Sequence, residues 1–109
     1  MSNSNLIDQV RRKLNITWED TDTTLRIEEM IESAVPGLIY KLGITDSDFD
    51  FSVPGTEHLL FLAYCLYEWN HALDEFDLNY ARMIAQVRAK WEVEKYLTDS
   101  EESDDAEEG

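Results

Sequence analysis

Glu68, His71 and Glu75 are the residues of this chain whose types and spacing most resemble a chemical site. They are three and four residues apart, so in a helix they share one face. Di-iron helical bundles present a Glu-x-x-His pair from each of two helices in the same way. The segment LYEWNHALDEF, residues 66–76, therefore raises the hypothesis of a metal-dependent helical enzyme.

A helical wheel argues against that hypothesis. At about 100° per residue, the face with Glu68, His71 and Glu75 points away from the apolar stripe of the same segment. A di-iron site needs ligands that project inward from four helices and a second Glu-x-x-His pair, which the sequence lacks. We therefore predict no metal ligand here and interpret this face as solvated or subunit-facing.

The other chemistry-bearing residue types give no catalytic arrangement. Cys65 lies in the apolar segment LFLAYCLYE without a basic neighbour in sequence that would lower the pKa of its thiol. No Gly-x-Ser-x-Gly, phosphate-binding glycine loop or Cys-x-x-Cys occurs. The sequence thus predicts a protein that is not an enzyme and that takes no cofactor.

Apolar residues at helical spacing predict a short first helix that ends near Asn15 and a longer second helix. Thr17 with Asp20, or Asp22 with Thr23, is predicted to cap the second helix, and Gly43 is predicted to end it. A kink or short break is expected at residues 36–37, because proline inside a helix removes a hydrogen bond. The apolar positions of the second helix are Ile27, Met30, Ile31, Ala34, Leu38 and Leu42.

The segment ITDSDFDFSVPG, residues 44–55, is predicted to be a long acidic loop between the second and third helices. In one interpretation, Phe49 and Phe51 pin this loop onto the helices. In the other, the loop contacts another subunit or lines a channel, since loops of about a dozen residues are often functional. The residues assigned to the second interpretation are Asp46, Asp48, Phe49, Asp50 and Phe51.

No glycine or proline occurs between Thr56 and Leu97, and one apolar stripe stays in helical phase throughout. The stripe allows one continuous helix of about 40 residues. A turn near Asp77, with Asp77 capping a new helix, is favoured because globular helices average about a dozen residues. The residues predicted to pack the core are Leu62, Leu66, Trp69, Leu73, Phe76, Ile84 and Val87.

The charge is strongly acidic and unevenly spread. The formal net charge is −15, and residues 99–109 contribute seven carboxylates and no base, which leaves −8 for residues 1–98. Such a surface repels nucleic-acid phosphates and anionic lipids, so groove-reading DNA binding and membrane binding are not expected. The prediction is an all-α domain over residues 1–98, a small antiparallel bundle of about four helices, followed by a disordered acidic tail over 99–109.

The last predicted helix is locally basic within this acidic chain. Two explanations remain open: intrahelical i, i+4 pairs of Arg88 with Glu92 and Lys90 with Glu94, or contact with an acidic face of a neighbouring copy in a head-to-tail ring. The residues assigned to subunit or partner contacts are Arg82, Arg88, Lys90, Trp91, Lys95 and Tyr96.

The order of these segments resembles the small head–tail connector, or adaptor, proteins of long-tailed bacteriophages and their prophages. KLNITWEDTDTTL, YKLGI and the DFDF…PG loop precede LLFLAYCLYEWNHALDEFDLNYARMIAQVRAKWEV. LYEWNHAL is similar to a Leu-Tyr-Glu-Asn-Arg-Glu-Ala segment of that family, with Asn70 in the asparagine position and His71 where arginine is frequent. The resemblance covers residues 6–97 and leaves out the acidic tail.

This resemblance implies a structural virion protein made in the cytoplasm of a bacterial host. It implies a ring, typically of twelve copies, beneath the portal protein and above stopper or tail proteins, with DNA passing through unbound. By the resemblance, residues 91–97 and the tail would engage the portal, and residues 46–53 would face the channel. A different hypothesis from charge alone is an acidic DNA mimic that inhibits a basic nucleic-acid-binding protein.

Overall fold

The computed structural model describes residues 2–108 of the chain, and the side chains of residues 5–97. It contains five helices: α1 (Ser2–Lys13), α2 (Thr21–Leu42), α3 (Thr56–Trp69), α4 (Leu73–Asn79) and α5 (Ala81–Glu108). No strand occurs within the described part of the chain. The prediction of a small all-α bundle is confirmed, with the short α4 as a helix beyond the four expected.

Helix α2 begins and ends as its capping residues dictate. The Asp20 carboxylate accepts hydrogen bonds from the Thr23 backbone N–H at 3.0 Å and from the Thr23 hydroxyl at 2.9 Å. Gly43 ends the helix in the left-handed conformation, with φ of 67°, where a glycine carries no side-chain clash. Of the caps proposed for this helix, Asp20 and Gly43 are therefore the ones used.

Of the kink or short break expected at residues 36–37, the break does not occur, because α2 continues from Thr21 to Leu42 with Pro36 inside it. Proline removes one backbone donor, but the buried residues on both sides keep one face of the helix packed. Ile31 and Ala34 precede Pro36, and Leu38 and Leu42 follow it, all at 3% exposure or less. Tertiary packing here outweighs the local preference against proline.

The core lies around α3, and all five helices contribute to it. Leu60, Phe61 and Cys65 of α3 are fully buried. The other helices contribute further buried residues: Val10 of α1, Ile27, Ala34, Leu38 and Leu42 of α2, Phe76 of α4 and Val87 of α5.

The helix that carries the long apolar stripe after Thr56 is interrupted twice. Helix α3 ends at Trp69, and His71 takes a positive φ of 58°; α4 then ends at Asn79 before α5 begins at Ala81. The expected turn near Asp77 is thus misplaced, because Asp77 lies inside α4. The chain turns at residues 70–72 and again at residue 80, although the stripe keeps its phase.

The residues predicted to pack the core differ in burial. Phe76 and Val87 are buried. Leu62, Trp69, Leu73 and Ile84 are half-buried against the core, and Leu66 is half-buried.

The tail predicted to be disordered, residues 99–109, begins inside α5, whose backbone continues as a helix to Glu108. Its side chains lie outside the described residues. In the part of the chain that the structure describes, no helix is long and apolar enough to cross a membrane.

Candidate assembly surface

Glu57 joins the start of α3 to the middle of α5. Glu57 is only 7% exposed. Its carboxylate accepts a hydrogen bond from the Trp91 indole N–H at 3.0 Å and forms an ion pair with Lys90. Burial alone would raise the pKa of Glu57. The hydrogen bonds from Lys90, its own backbone and Trp91, with the Lys90 charge, outweigh burial and lower that pKa. We call Glu57, Lys90 and Trp91 the α3–α5 clasp.

The acidic loop packs against this clasp through its aromatic residues. Phe51 is buried and stacks on Phe61 with ring centroids 4.9 Å apart. Phe49 meets Phe51 edge-on at 5.0 Å and Trp91 at 5.7 Å. Because the Phe51 carbonyl can only accept, the 2.8 Å contact with His58 Nδ1 is a hydrogen bond donated by His58.

The loop residues assigned to a channel or a subunit contact thus separate into two groups. Phe51 is buried within its own chain, so its ring is not accessible to a channel or a neighbouring subunit. Phe49 is half-buried and packs on Phe51 and Trp91. The pinning interpretation describes what these two rings do.

Asp46, Asp48 and Asp50 remain exposed. Asp46 accepts from the Asp48 backbone N–H at 2.9 Å, and Asp50 accepts from the N–H and hydroxyl of Ser52. The hydroxyl and then the backbone hydrogen bond of Ser52 lower the pKa of Asp50. The loop therefore presents fixed carboxylates to solvent while its rings hold it in place.

The cations of α5 are all exposed, and two of them, Arg88 and Lys90, also contact other helices of the chain. The Arg88 guanidinium donates to the Lys41 carbonyl at 2.7 Å, which satisfies an orphan acceptor at the end of α2. Lys41 itself pairs with Asp77 at 2.8 Å.

Among the residues assigned to partner contacts, Arg88, Lys90 and Trp91 therefore make contacts within the chain. Arg88 contacts α2 and Lys90 contacts α3, and neither explanation from the sequence named these contacts. Arg82, Lys95 and Tyr96 are exposed and stay candidates for contacts with another molecule.

The Glu68–His71 segment lies where α3 ends rather than on a continuous helix. Asn70 donates from its side chain to the Leu66 carbonyl at 2.9 Å. His71 in the left-handed conformation leaves the helical wheel that the sequence argument assumed. Among the described residues, no group of three His, Cys, Asp or Glu side chains is placed to hold a metal ion.

A small cavity of about 180 Å³ lies beside this junction. Arg26 covers the Trp69 ring at 4.5 Å, and Glu68 has one carboxylate oxygen buried without a hydrogen-bond partner. Burial raises the pKa of Glu68. Burial, then the charge of Glu68, also raises the pKa of the Cys65 thiol to about 12. Cys65 is therefore a protonated core residue at neutral pH.

Two rows of exposed residues mark the outer faces of α2 and α5. The α2 row comprises Leu25, Glu29, Glu32, Pro36 and Tyr40, and the α5 row comprises Arg82, Ala85, Ala89, Val93 and Tyr96. Every member of both rows is exposed, and the spacing of three and four residues places each row on a single helix face.

Sequence reasoning missed Glu57 and the α2 row. An acidic residue in the first turn of a helix is ordinarily explained by the helix dipole. The available signal for Glu57 was its spacing of three and four residues before Leu60 and Phe61, which are buried. For the α2 row, the signal in the sequence was a leucine and a tyrosine at helical spacing with two glutamates, outside the six apolar positions of that helix.

Comparisons with protein-family models, with curated proteins and with solved structures found no match to this chain. Arguments about function therefore rest on the chain's own residues, their geometry and the resemblance of its segments.

Proposed function

We propose that this chain is a structural connector that assembles as a ring between a phage portal and the tail, and that extends the DNA channel. In this proposal it catalyses no reaction. Its partners are further copies of itself, the portal protein and the stopper or tail proteins below. It is made in a bacterial cytoplasm and ends in the virion at the head–tail interface.

The observation that carries the proposal is the two-sided character of α5. Its inner face is held to the body by Val87 and the α3–α5 clasp. Its outer face exposes Val93 at 58% and Tyr96 at 69%, beside two alanines. A helix with apolar residues on both faces is typical of one that packs on both sides, and the chain supplies one of those sides. This supports a role in assembly.

The charge supports the channel role. Residues 1–98 carry a net charge of −8, and the exposed carboxylates of Asp46 and Asp50 are held by local hydrogen bonds. Carboxylates along a pore repel DNA phosphates, so DNA would pass without binding tightly. The exposed Asp46, Asp48 and Asp50 are the residues we assign to such a lumen.

The direct test is to mix the purified chain with the portal ring of the same phage or prophage and to image the mixture by electron microscopy. The proposal expects an additional ring of density on the tail side of the portal with an open central channel. A chain that never adds to the portal, at any ratio or salt concentration, contradicts it.

A second candidate is an acidic DNA mimic that inhibits a basic nucleic-acid-binding protein. It is favoured by the exposed carboxylates of Asp22, Glu29 and Glu32 along one rigid helix. If α2 supplies the mimicry, neutralising these three residues should abolish inhibition. Deleting residues 99–109 should abolish it instead if the tail supplies it. A connector should still oligomerise after the tail is deleted.

A further inference from the structure

The α2 and α5 rows carry charges of opposite sign. The α5 row carries Arg82 and no carboxylate, while Arg88 and Lys90 of the same helix contact Lys41 and Glu57 within the chain. Residues 21–33 of α2 contain four carboxylates and one arginine, a net charge of −3. Opposite potentials of this kind orient and select a protein interface.

Each row also exposes apolar surface that its own chain leaves uncovered. Tyr40 is 86% exposed and Leu25 50% exposed in the α2 row. Grooves border that row: one of about 460 Å³ is lined by Ile7, Glu28, Ile31, Glu32, Val35 and Pro36. Another, of about 490 Å³, lies on the side of Ile39, Tyr40 and Gly43.

The α5 row has the shape that such a ridge and its grooves accept. Ala85 and Ala89 keep its middle low, which allows a facing helix to approach closely, and Val93 and Tyr96 project at its far end. Helices pack by placing rows of side chains into neighbouring grooves, and rows at spacings of three and four residues are the ones that interdigitate.

We propose that the α5 row of one copy docks on the α2 row of a second copy, and that this contact joins neighbouring subunits. The two surfaces differ, so the contact is head-to-tail and generates a ring or an open filament rather than a closed dimer. This inference rests on the proposed ring and specifies which surfaces close it. In this contact Ala89 of one copy lies against Glu32 of its neighbour, and the Arg82 side chain extends towards the carboxylate of Glu29.

Cysteine cross-linking between two variants tests this geometry directly. Ala89→Cys places a thiol in the α5 row, and Glu32→Cys places one in the α2 row. A mixture of the two variants should form a disulfide-linked dimer under mild oxidation, whereas neither variant alone should. Cys65 is buried, so the wild-type chain serves as the uncross-linked control.

Charge reversal tests the energetics. Arg82→Glu should raise the concentration needed for half-maximal association by about tenfold or more, as measured by sedimentation velocity, because it places a carboxylate against the carboxylates of the α2 row. Glu29→Lys with Glu32→Lys should do the same, and the triple variant should recover association. Asp74→Lys, exposed on α4 outside both rows, is the matched control and should leave association unchanged.

Several outcomes overturn the inference. Ala89→Cys chains that cross-link with each other in the absence of Glu32→Cys would mean a symmetric contact. Failure of the mixture to cross-link, both free and on the portal, would mean that other surfaces join the subunits.

These results are separable from a failure of the proposed function. A chain that cross-links through these rows but never joins a portal refutes the connector role and leaves the interface standing. A chain that adds a ring to the portal without this cross-link refutes the interface alone.

Discussion

Replacing Glu57 with glutamine perturbs the contact that holds α5 to α3 without changing the size of the side chain. Glu57→Gln keeps an oxygen that can accept from the Trp91 indole N–H, now 3.0 Å away. It removes the negative charge that pairs with Lys90. The variant therefore isolates the electrostatic part of the α3–α5 clasp from its packing.

The magnitude follows from the two partners. A hydrogen bond to a charged group contributes about 1.5–3 kcal/mol, and one between neutral groups contributes about 0.5–1.5 kcal/mol. The hydrogen bond from the Trp91 indole therefore stabilises the fold by about 1 kcal/mol less in the variant. The Lys90 side chain is 53% exposed, so its ion pair is screened and contributes about 0–1 kcal/mol. We expect Glu57→Gln to lower the free energy of unfolding by about 1–2 kcal/mol at neutral pH.

The assay is urea denaturation of wild type and variant, followed by circular dichroism between pH 7 and pH 3. The pKa of Glu57 is lower in the folded chain than in the unfolded chain. Its contribution is therefore complete above the ordinary pKa of a glutamate, about 4.3, and disappears as the pH falls through the lowered value. The difference between wild type and variant should be constant above about pH 5 and should shrink below it.

Glu75→Gln is the control, because Glu75 is an exposed carboxylate on α4. It should alter the free energy of unfolding by less than about 0.5 kcal/mol at any of these pH values. If Glu57→Gln matches this control at neutral pH, or if its effect grows as the pH falls, the clasp does not stabilise α5 as described.

Other substitutions test the core and the α3–α4 junction by the same denaturation assay. Phe76→Ala should cost about 3–5 kcal/mol, because Phe76 is fully buried and contacts the rings of Tyr64, Tyr67 and Tyr80. A cost below about 1 kcal/mol would show that this ring cluster does not anchor α4. Glu68→Gln should raise stability at pH 7, because burial raises the pKa of Glu68 and penalises its charged form. The gain should vanish in acid, where wild-type Glu68 is protonated, and a loss at pH 7 would contradict it. His71→Val should be about 1–2 kcal/mol less stable than His71→Gly, since a β-branched residue resists positive φ; equal stability would place the turn elsewhere.

The helix type and the bounds of α2 were predictable from local signals. The Asp20 cap, the Gly43 end and the six apolar positions from Ile27 to Leu42 act within one or two turns of the chain. Each is determined by hydrogen bonding or side-chain spacing at that place. Continuation of α2 through Pro36 was not predictable, because it depends on packing against other helices.

The turns that divide the stripe after Thr56 were not predictable in position. The apolar phase continues across them, and the residue that takes the left-handed conformation is His71 rather than a glycine. The local signal there is Asn70, whose side chain donates a hydrogen bond to the Leu66 carbonyl. An asparagine at this position was also compatible with a continuous helix.

The α3–α5 clasp lay beyond sequence reasoning for a different reason. Its partners are 33 and 34 residues apart along the chain, and no helical period relates them. Arg88 and Lys90 stood out as cations of an acidic chain and were assigned, with Trp91, to contacts with a partner. In the structure all three contact other helices of their own chain, although Arg88 and Lys90 remain exposed.

Electron microscopy of the chain mixed with its portal tests the central claim most directly. The account predicts a closed ring of this chain, coaxial with the portal, with an open channel at its centre. A portal that remains bare in the presence of excess folded chain, under every salt condition tried, would contradict the assignment as a connector.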